Sequence, residues 1–280
     1  MKSQKVWSSK DAARCIIVPS DLDHKYSRGV LGLITGSAQF PGAAVLTTSA
    51  ALATGLGVAR FHSSSGLAHL VLHQSPEAVV QPGPVSAWLA GSGIHDKKYS
   101  DFTTFLRHRW FTLLKHQTVP TVLDAGALYL AGKLDQPTLI TPHAGELSRL
   151  FAHHGITVSA EIIESDPATW AKKCSEQFNV TVLLKGSKTV VAQGDLLISL
   201  PTATPYLATA GSGDVLAGII GALVATNYIE ILNAKERLAH VAATGALIHN
   251  QAALIASNGA PISASQITLH IQEAIRKLLK

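Results

Sequence analysis

Cysteine is nearly missing from this chain: Cys15 and Cys174 are the two in 280 residues. That is too few for a disulfide framework and points to a reducing compartment. Long apolar runs are missing too. Residues 215–225 form the longest, well short of the ~20 residues a membrane span requires. Near the start only Cys15-Ile16-Ile17-Val18 is continuously apolar, too little for a signal-peptide core. Charged residues make up only 15%. Lysine and arginine are scattered, with Lys97-Lys98 and Lys172-Lys173 the densest pairs, so a nucleic-acid groove is excluded. Thirteen histidines show neither an H-E-x-x-H motif nor a Cys/His spacing, which argues against zinc. Linkers, repeats and low-complexity segments are likewise absent. The expectation is one domain over residues 1–280, soluble and cytoplasmic, away from nucleic acid and membrane. With a net charge of +5, its ligands would be phosphate-bearing small molecules.

What the chain does have is apolar content, 47% of residues, enough for a large core. Short β-rich runs at 30–35, 67–72, 85–90, 121–124, 138–141 and 180–185 read as buried strands of a parallel sheet. Segments 42–57, 99–116 and 167–178 have helical spacing. Such alternation predicts βαβ units and an α/β, doubly wound, mostly parallel central sheet with helices on both faces. Beyond Lys185, residues 189–192 and 195–199 flank Gln193-Gly194 as a hairpin. Two long helices follow, then a tail helix from Ser263 with a capping box to Gln266 and apolar Ile267, Ile271, Ile275 and Leu278.

In an open α/β sheet, ligands bind at the carboxyl ends of the strands, and chemistry-bearing residues follow the strands here. The most informative stretch is Ala208-Thr209-Ala210-Gly211-Ser212-Gly213-Asp214, directly before an apolar helical run. Its glycines let backbone N–H groups of Gly211, Ser212 and Gly213 turn inward, and a helix starting at Gly213 or Asp214 would aim its positive end at the same point. Asp214 there either removes a proton from a hydroxyl that attacks phosphorus or simply caps the helix. Gly36-Ser37-Ala38-Gln39-Phe40-Pro41-Gly42-Ala43 follows the first strand. It is neither a Walker loop nor a Rossmann fingerprint, and a tight strand–helix turn would account for it equally well. Gly91-Ser92-Gly93 ends another strand. In Pro142-His143-Ala144-Gly145-Glu146 the histidine and glutamate sit three apart. His143 could bond a polar ligand and Glu146 could hold magnesium through water, or both could be ordinary first-turn residues. Lys185-Gly186-Ser187-Lys188-Thr189 offers a lysine to a nucleotide phosphate, or a solvated lysine before a turn. His240, His249 and His270 read as structural or exposed.

These elements occur in the order found in the NAD(P)H-hydrate dehydratases, a ribokinase-like family that the chain resembles over roughly residues 20 to 275. Thr141-Pro142-His143-Ala144-Gly145-Glu146, together with Pro41-Gly42-Ala43, is the most specific part. The Gly-x-Gly-Asp element is shared by ribokinase-like kinases in general. The resemblance implies repair of NADHX and NADPHX, with ADP (or ATP) as co-substrate and Mg2+ as cofactor. It implies Asp214 as catalytic base, and Lys185, Gly186, Ser187, Lys188, Thr189 and Gly213 around the nucleotide. Ala43, Gly93, His143 and Asp214 would contact the hydrated dinucleotide. It further implies a separate epimerase acting in the same pathway, since only about twenty residues precede the match, and a homo-oligomer, tetramer or dimer. A small-molecule kinase acting on a hydroxymethylpyrimidine or thiazole alcohol is the alternative. Two departures stand out. The usual Gly-Pro-Gly-Leu-Gly reads Gly91-Ser92-Gly93-Ile94-His95, and Asp-Ala-Asp-Ala-Leu reads Asp124-Ala125-Gly126-Ala127-Leu128.

Overall fold

The computed structural model describes residues 5–96 and 101–280. Lys97-Lys98 and the start of the helical segment expected from Tyr99 lie outside these. Nine strands form one sheet in the order β1-β9-β8-β7-β6-β5-β4-β2-β3. Six of them, β2 (Val30–Ile34), β3 (Val58–Phe61), β4 (Ala87–Ala90), β5 (Thr121–Leu123), β6 (Thr138–Ile140) and β7 (Thr181–Leu184), run parallel. The expected hairpin is β8 (Val190–Gln193) and β9 (Leu196–Ser199), antiparallel to each other and to β7. A two-residue β1 (Lys5–Val6) closes that edge, parallel to β9.

Side chains alternate across the strands, as a pleated backbone requires, and so feed two cores. Leu31, Leu33, Leu89, Val122, Leu139 and Leu183 pack with the helices Pro41–Ala53, Ser212–Thr226 and Arg237–Ser257. Ile34, Ala90, Leu123, Ile140, Val182 and Leu184 face the helices Ala144–Ala152 and Pro167–Phe178. The doubly wound architecture read from the sequence is what the chain adopts. No helix among the described residues is long and apolar enough to cross a membrane.

One expected strand is a helix instead. Residues 67–72 lie inside the helix Ser65–Gln74, where Leu67, Ala68 and Val71 are buried while Leu70 is exposed. Burial at i, i+1 and i+4 is a helical stripe, and leucine and alanine favour it. The neighbouring strand is β3, a four-residue edge strand with Arg60 in it, too short and too polar to be recognised by pattern. The helix expected over 99–116 is Phe102–Trp110 followed by a 3-10 turn, Phe111–Leu114.

Candidate active site

Chain order along the sheet reverses at β2, whose neighbours are β3 and β4, so the crevice of the fold opens beyond their carboxyl ends. The loops after β2 and β4 meet there. The Gly36 N–H donates to the Ser92 carbonyl at 2.8 Å, and a Cβ on Gly93 would lie 2.2 Å from that of Ala43. Ala43 and Gly93, expected to share a ligand, are thus in contact.

The adjoining strand ends converge on Asp124, a residue that the sequence reading passed over. Its carboxylate, 3% exposed as a residue, accepts from Ser92 Oγ at 2.9 Å, Thr141 Oγ1 at 2.8 Å and Lys185 Nζ at 2.9 Å. One side chain therefore ties together the ends of β4, β5, β6 and β7. Ser92, where proline is usual, supplies a hydroxyl that proline lacks. The second departure follows from the first loop's path. A Cβ on Gly126 would stand 2.4 Å from the Ile94 carbonyl oxygen and 2.8 Å from that of His95. The His95 carbonyl is held in turn by the His108 ring, Nε2–H donating at 2.8 Å. The main chain of residues 94–95 runs where a side chain at 126 would stand.

Lys185 meets acids rather than open solvent. Its Nζ lies 2.9 Å from Asp124 Oδ1 and 3.8 Å from Glu146 Oε2, and a Cβ on Gly213 would approach it to 3.7 Å. Burial works against its charge, but Asp124, Glu146 and Asp214 together hold its pKa above the ordinary lysine value. The pKa of Asp214 is also raised, up to about 7, first by burial and then by the charge of Asp124, with Lys185 opposing. Lys185 and the next residues of its turn, Gly186, Ser187 and Lys188, together line a cavity of about 250 Å³ with Ala144 and Pro167. Thr189 Oγ1 closes the turn onto the Gly186 carbonyl at 3.0 Å.

The helix expected to start at Gly213 or Asp214 begins at Ser212. Its N-cap is Gly211 at φ +85°, and no side chain makes a cap hydrogen bond. Asp214 is the third helical residue, so the reading in which it caps the helix is wrong. Among the described residues, the N–H groups of Gly211, Gly213 and Asp214 have no main-chain acceptor, whereas Ser212 N–H bonds the Thr209 carbonyl at 3.3 Å. Free donors at a helix N-terminus suit an anionic oxygen. Behind this turn His249 is fully buried with Nε2 unpartnered, and burial above all drives its pKa down to about 4. It is therefore neutral, and buried rather than exposed.

His143 and Glu146 cap their helix reciprocally. His143 Nδ1 accepts from Gly145 N–H at 3.1 Å, and Glu146 Oε2 accepts from His143 N–H at 2.8 Å. The His143 side chain stays 55% exposed, leaving its ring face open to a ligand. Among the described residues, no three His, Cys, Asp or Glu side chains are grouped to hold a metal directly.

A family model described as NAD(P)H-hydrate dehydratase matches residues 31–277. The chain is 34% identical over 286 residues to the bifunctional NAD(P)H-hydrate repair enzyme Nnr of Mycobacterium leprae, covering 96% of this chain and 55% of that protein. It is 32% identical over 275 residues to the ADP-dependent (S)-NAD(P)H-hydrate dehydratase of Neisseria meningitidis, covering 91% and 86%. This chain thus spans about half the length of the bifunctional relatives it matches. In fold it is similar to the Bacillus subtilis ADP/ATP-dependent NAD(P)H-hydrate dehydratase co-crystallized with ATP/Mg2+, with a TM-score of 0.83 and 23% identity over 99% of this chain and 100% of that one. A ribokinase-like superfamily protein of Enterococcus faecalis gives 0.83 at 20% identity, over 99% and 97% of the two chains.

Proposed function

The chain belongs to the NAD(P)H-hydrate dehydratase family, and from that premise we propose that it returns hydrated NADH and NADPH to the reduced cofactors at the expense of ADP. The observation that carries this reading is Asp214: a carboxylate in the first turn of a helix, beside unbonded N–H groups, with its pKa raised to about 7. A base poised near neutrality is matched to taking a proton from a hydroxyl.

The chemistry follows from the substrate. Hydroxide leaves carbon poorly, but the C6 hydroxyl stands next to the ring nitrogen. As Asp214 takes its proton, the oxygen attacks the β-phosphorus of ADP, the bridging P–O bond breaks, and AMP departs with the electron pair. The free N–H groups of Gly211 and Gly213 face the phosphoryl group in flight; one such donor is worth roughly 10²–10³ in rate in other systems. The nitrogen lone pair then expels phosphate from C6, and loss of a C5 proton leaves its bonding pair as the restored double bond. Overall, the water removed from the dinucleotide is consumed in cleaving ADP to AMP and phosphate.

Lys185 and the turn Gly186-Ser187-Lys188-Thr189 are proposed to receive the nucleotide, and Ala43, Gly93 and His143 the dinucleotide. Three carboxylates face one ammonium here, so a polyanionic nucleotide enters a site with surplus negative charge. Magnesium, which keeps most of its waters, would offset that surplus, with Glu146 holding it through water. A separate epimerase would supply the reactive epimer, and self-association into a dimer or tetramer belongs to the same proposal. The test is to follow NADH absorbance on adding ADP or ATP to NADHX. Recovery of NADH with free phosphate is expected; accumulation of a stable phosphorylated product would make the protein a small-molecule kinase instead.

A further inference from the structure

A cavity of about 830 Å³ lies beyond this site, at the carboxyl end of β3. Its walls are mostly apolar, and among the described residues no Asp or Glu lines it. Arg107 does line it, and this arginine is only 4% exposed. Its guanidinium donates to three main-chain carbonyls: Nε to Gly36 at 2.8 Å, Nη1 to His62 at 2.9 Å and Nη2 to Thr35 at 2.7 Å. Guanidinium carries five N–H donors, so two are left over. Among the described residues no carboxylate pairs with it. A buried cation without a counter-ion is costly.

Other groups at the same place share this unmet demand. The ten-residue helix Ser65–Gln74 starts at the cavity, where Ser64 and Gly66 line the wall. Ser64 occupies the N-cap, and its side chain makes no cap hydrogen bond. Just behind, His62 Nε2, Ser63 Oγ and Trp88 Nε1 are buried without a partner. The His62 ring sits 4.9 Å from that of Trp88 and 6.1 Å from that of Trp110, another lining residue. Burial, with Arg60 and Arg107 nearby, keeps this histidine below its usual pKa and so neutral. The buried Arg107 with the exposed Arg109, a free helix N-terminus and unpaired polar groups just behind the wall, set among apolar side chains, suit an anion attached to an apolar or aromatic body.

We propose that this cavity binds a phosphate ester, namely the adenosine diphosphate half of the dinucleotide substrate. The identity of that occupant rests on the function proposed above. Continuity supports it. The cavity begins at Ala38 and Pro41, where the loop after β2 enters the helix that carries Ala43, and Arg107 grips Gly36, whose N–H reaches Ser92 in the crevice. A dinucleotide whose ring lies by Asp214 would extend along this loop toward Arg107.

The probes are ADP-ribose, which lacks the nicotinamide, and inorganic pyrophosphate, titrated into the wild-type protein, Arg107→Gln and Ser63→Ala. Glutamine removes the charge and keeps two N–H donors on one nitrogen where three carbonyls were bonded; Ser63→Ala removes one buried hydroxyl and should fold normally. Loss of ADP-ribose binding of tenfold or more in Arg107→Gln and of several-fold in Ser63→Ala is expected. KM for NADHX should rise in parallel, with kcat and KM for ADP within twofold of wild type. Weakened pyrophosphate binding with an unchanged KM for NADHX would overturn the dinucleotide assignment in favour of a free phosphate ligand. Unchanged binding of both probes in a folded Ser63→Ala protein would overturn the site itself. Wild-type protein that binds ADP-ribose in an Arg107-dependent way but never turns over NADHX would instead contradict the proposed function while leaving the site in place.

Discussion

Lys185 and Arg107 are both cations drawn into the fold at strand ends, and their surroundings are opposite. Lys185 faces Asp124, Glu146 and Asp214; Arg107 faces the carbonyls of Thr35, Gly36 and His62. Around the lysine negative charge is in excess; burial first, and then the charge of Asp124, raises the pKa of Asp214 and turns an ordinary acid into a base usable near neutrality. Around the arginine positive charge is in excess, and nothing in the described chain neutralises it. The residue types suit their places. An ammonium is a point charge that several carboxylates can share, whereas a planar guanidinium forks across fixed carbonyl positions. The same element, a cation at a carboxyl strand end, thus tunes chemistry in one region and awaits an anion in the other.

The sharpest break of this comparison is at Asp214. Asp214→Asn should lower kcat and kcat/KM together by roughly 10²–10⁴, read from steady-state rates with NADHX and ADP. Its stability should move the other way. A carboxyl whose pKa is raised on folding favours the folded state while protonated, so its contribution declines as pH rises from about 4 toward about 7. Asparagine stays neutral, and the variant should melt above the wild type at pH 8.

Next in size is Asp124→Ala, which removes the hub of the strand ends and leaves Lys185 without its nearest partner. Breaking a buried pair in this way costs on the order of 3–5 kcal/mol, measurable by urea unfolding. An unchanged midpoint would mean the convergence on Asp124 carries little stability. Gly126→Ala comes third. The added Cβ meets the Ile94 carbonyl oxygen, and overpacking costs about 1–3 kcal/mol. Replacing His95 by Gly in the same chain should recover part of that loss if the two family departures are coupled. Smallest is His143→Ala, which forfeits a helix cap worth about 1 kcal/mol. His143→Asn should keep the cap while raising KM for NADHX, and a normal KM in that variant would leave His143 with its capping role alone.

Much of this was legible from local pattern. The β2, β4, β5, β6 and β7 segments, the hairpin at Gln193-Gly194 and the capping box of Ser263 with Gln266 are short-range features, set by alternation and side-chain-to-backbone bonds within three residues. The family motifs marked Asp214, Lys185 and His143. What escaped is what only the closed sheet assembles. Asp124 receives hydrogens from Ser92, Thr141 and Lys185, between 17 and 61 residues away, and Arg107 reaches carbonyls 45 to 72 residues distant. No spacing rule encodes such partners. An acid directly after an apolar strand, as in Val122-Leu123-Asp124, was nevertheless a readable hint. Residues 67–72 misled because a short apolar run suits a buried helix as well as a strand.

The central claim is that burial and the neighbouring charge of Asp124 hold Asp214 ready as a base near neutral pH. The pH dependence of kcat/KM for NADHX, in the wild-type protein and in Asp124→Asn, tests it most directly. The account predicts an acid limb with an apparent pKa of about 7 in the wild type, displaced to lower pH when the Asp124 charge is removed. A profile flat down to pH 5, or a limb that stays in place in Asp124→Asn, would contradict it.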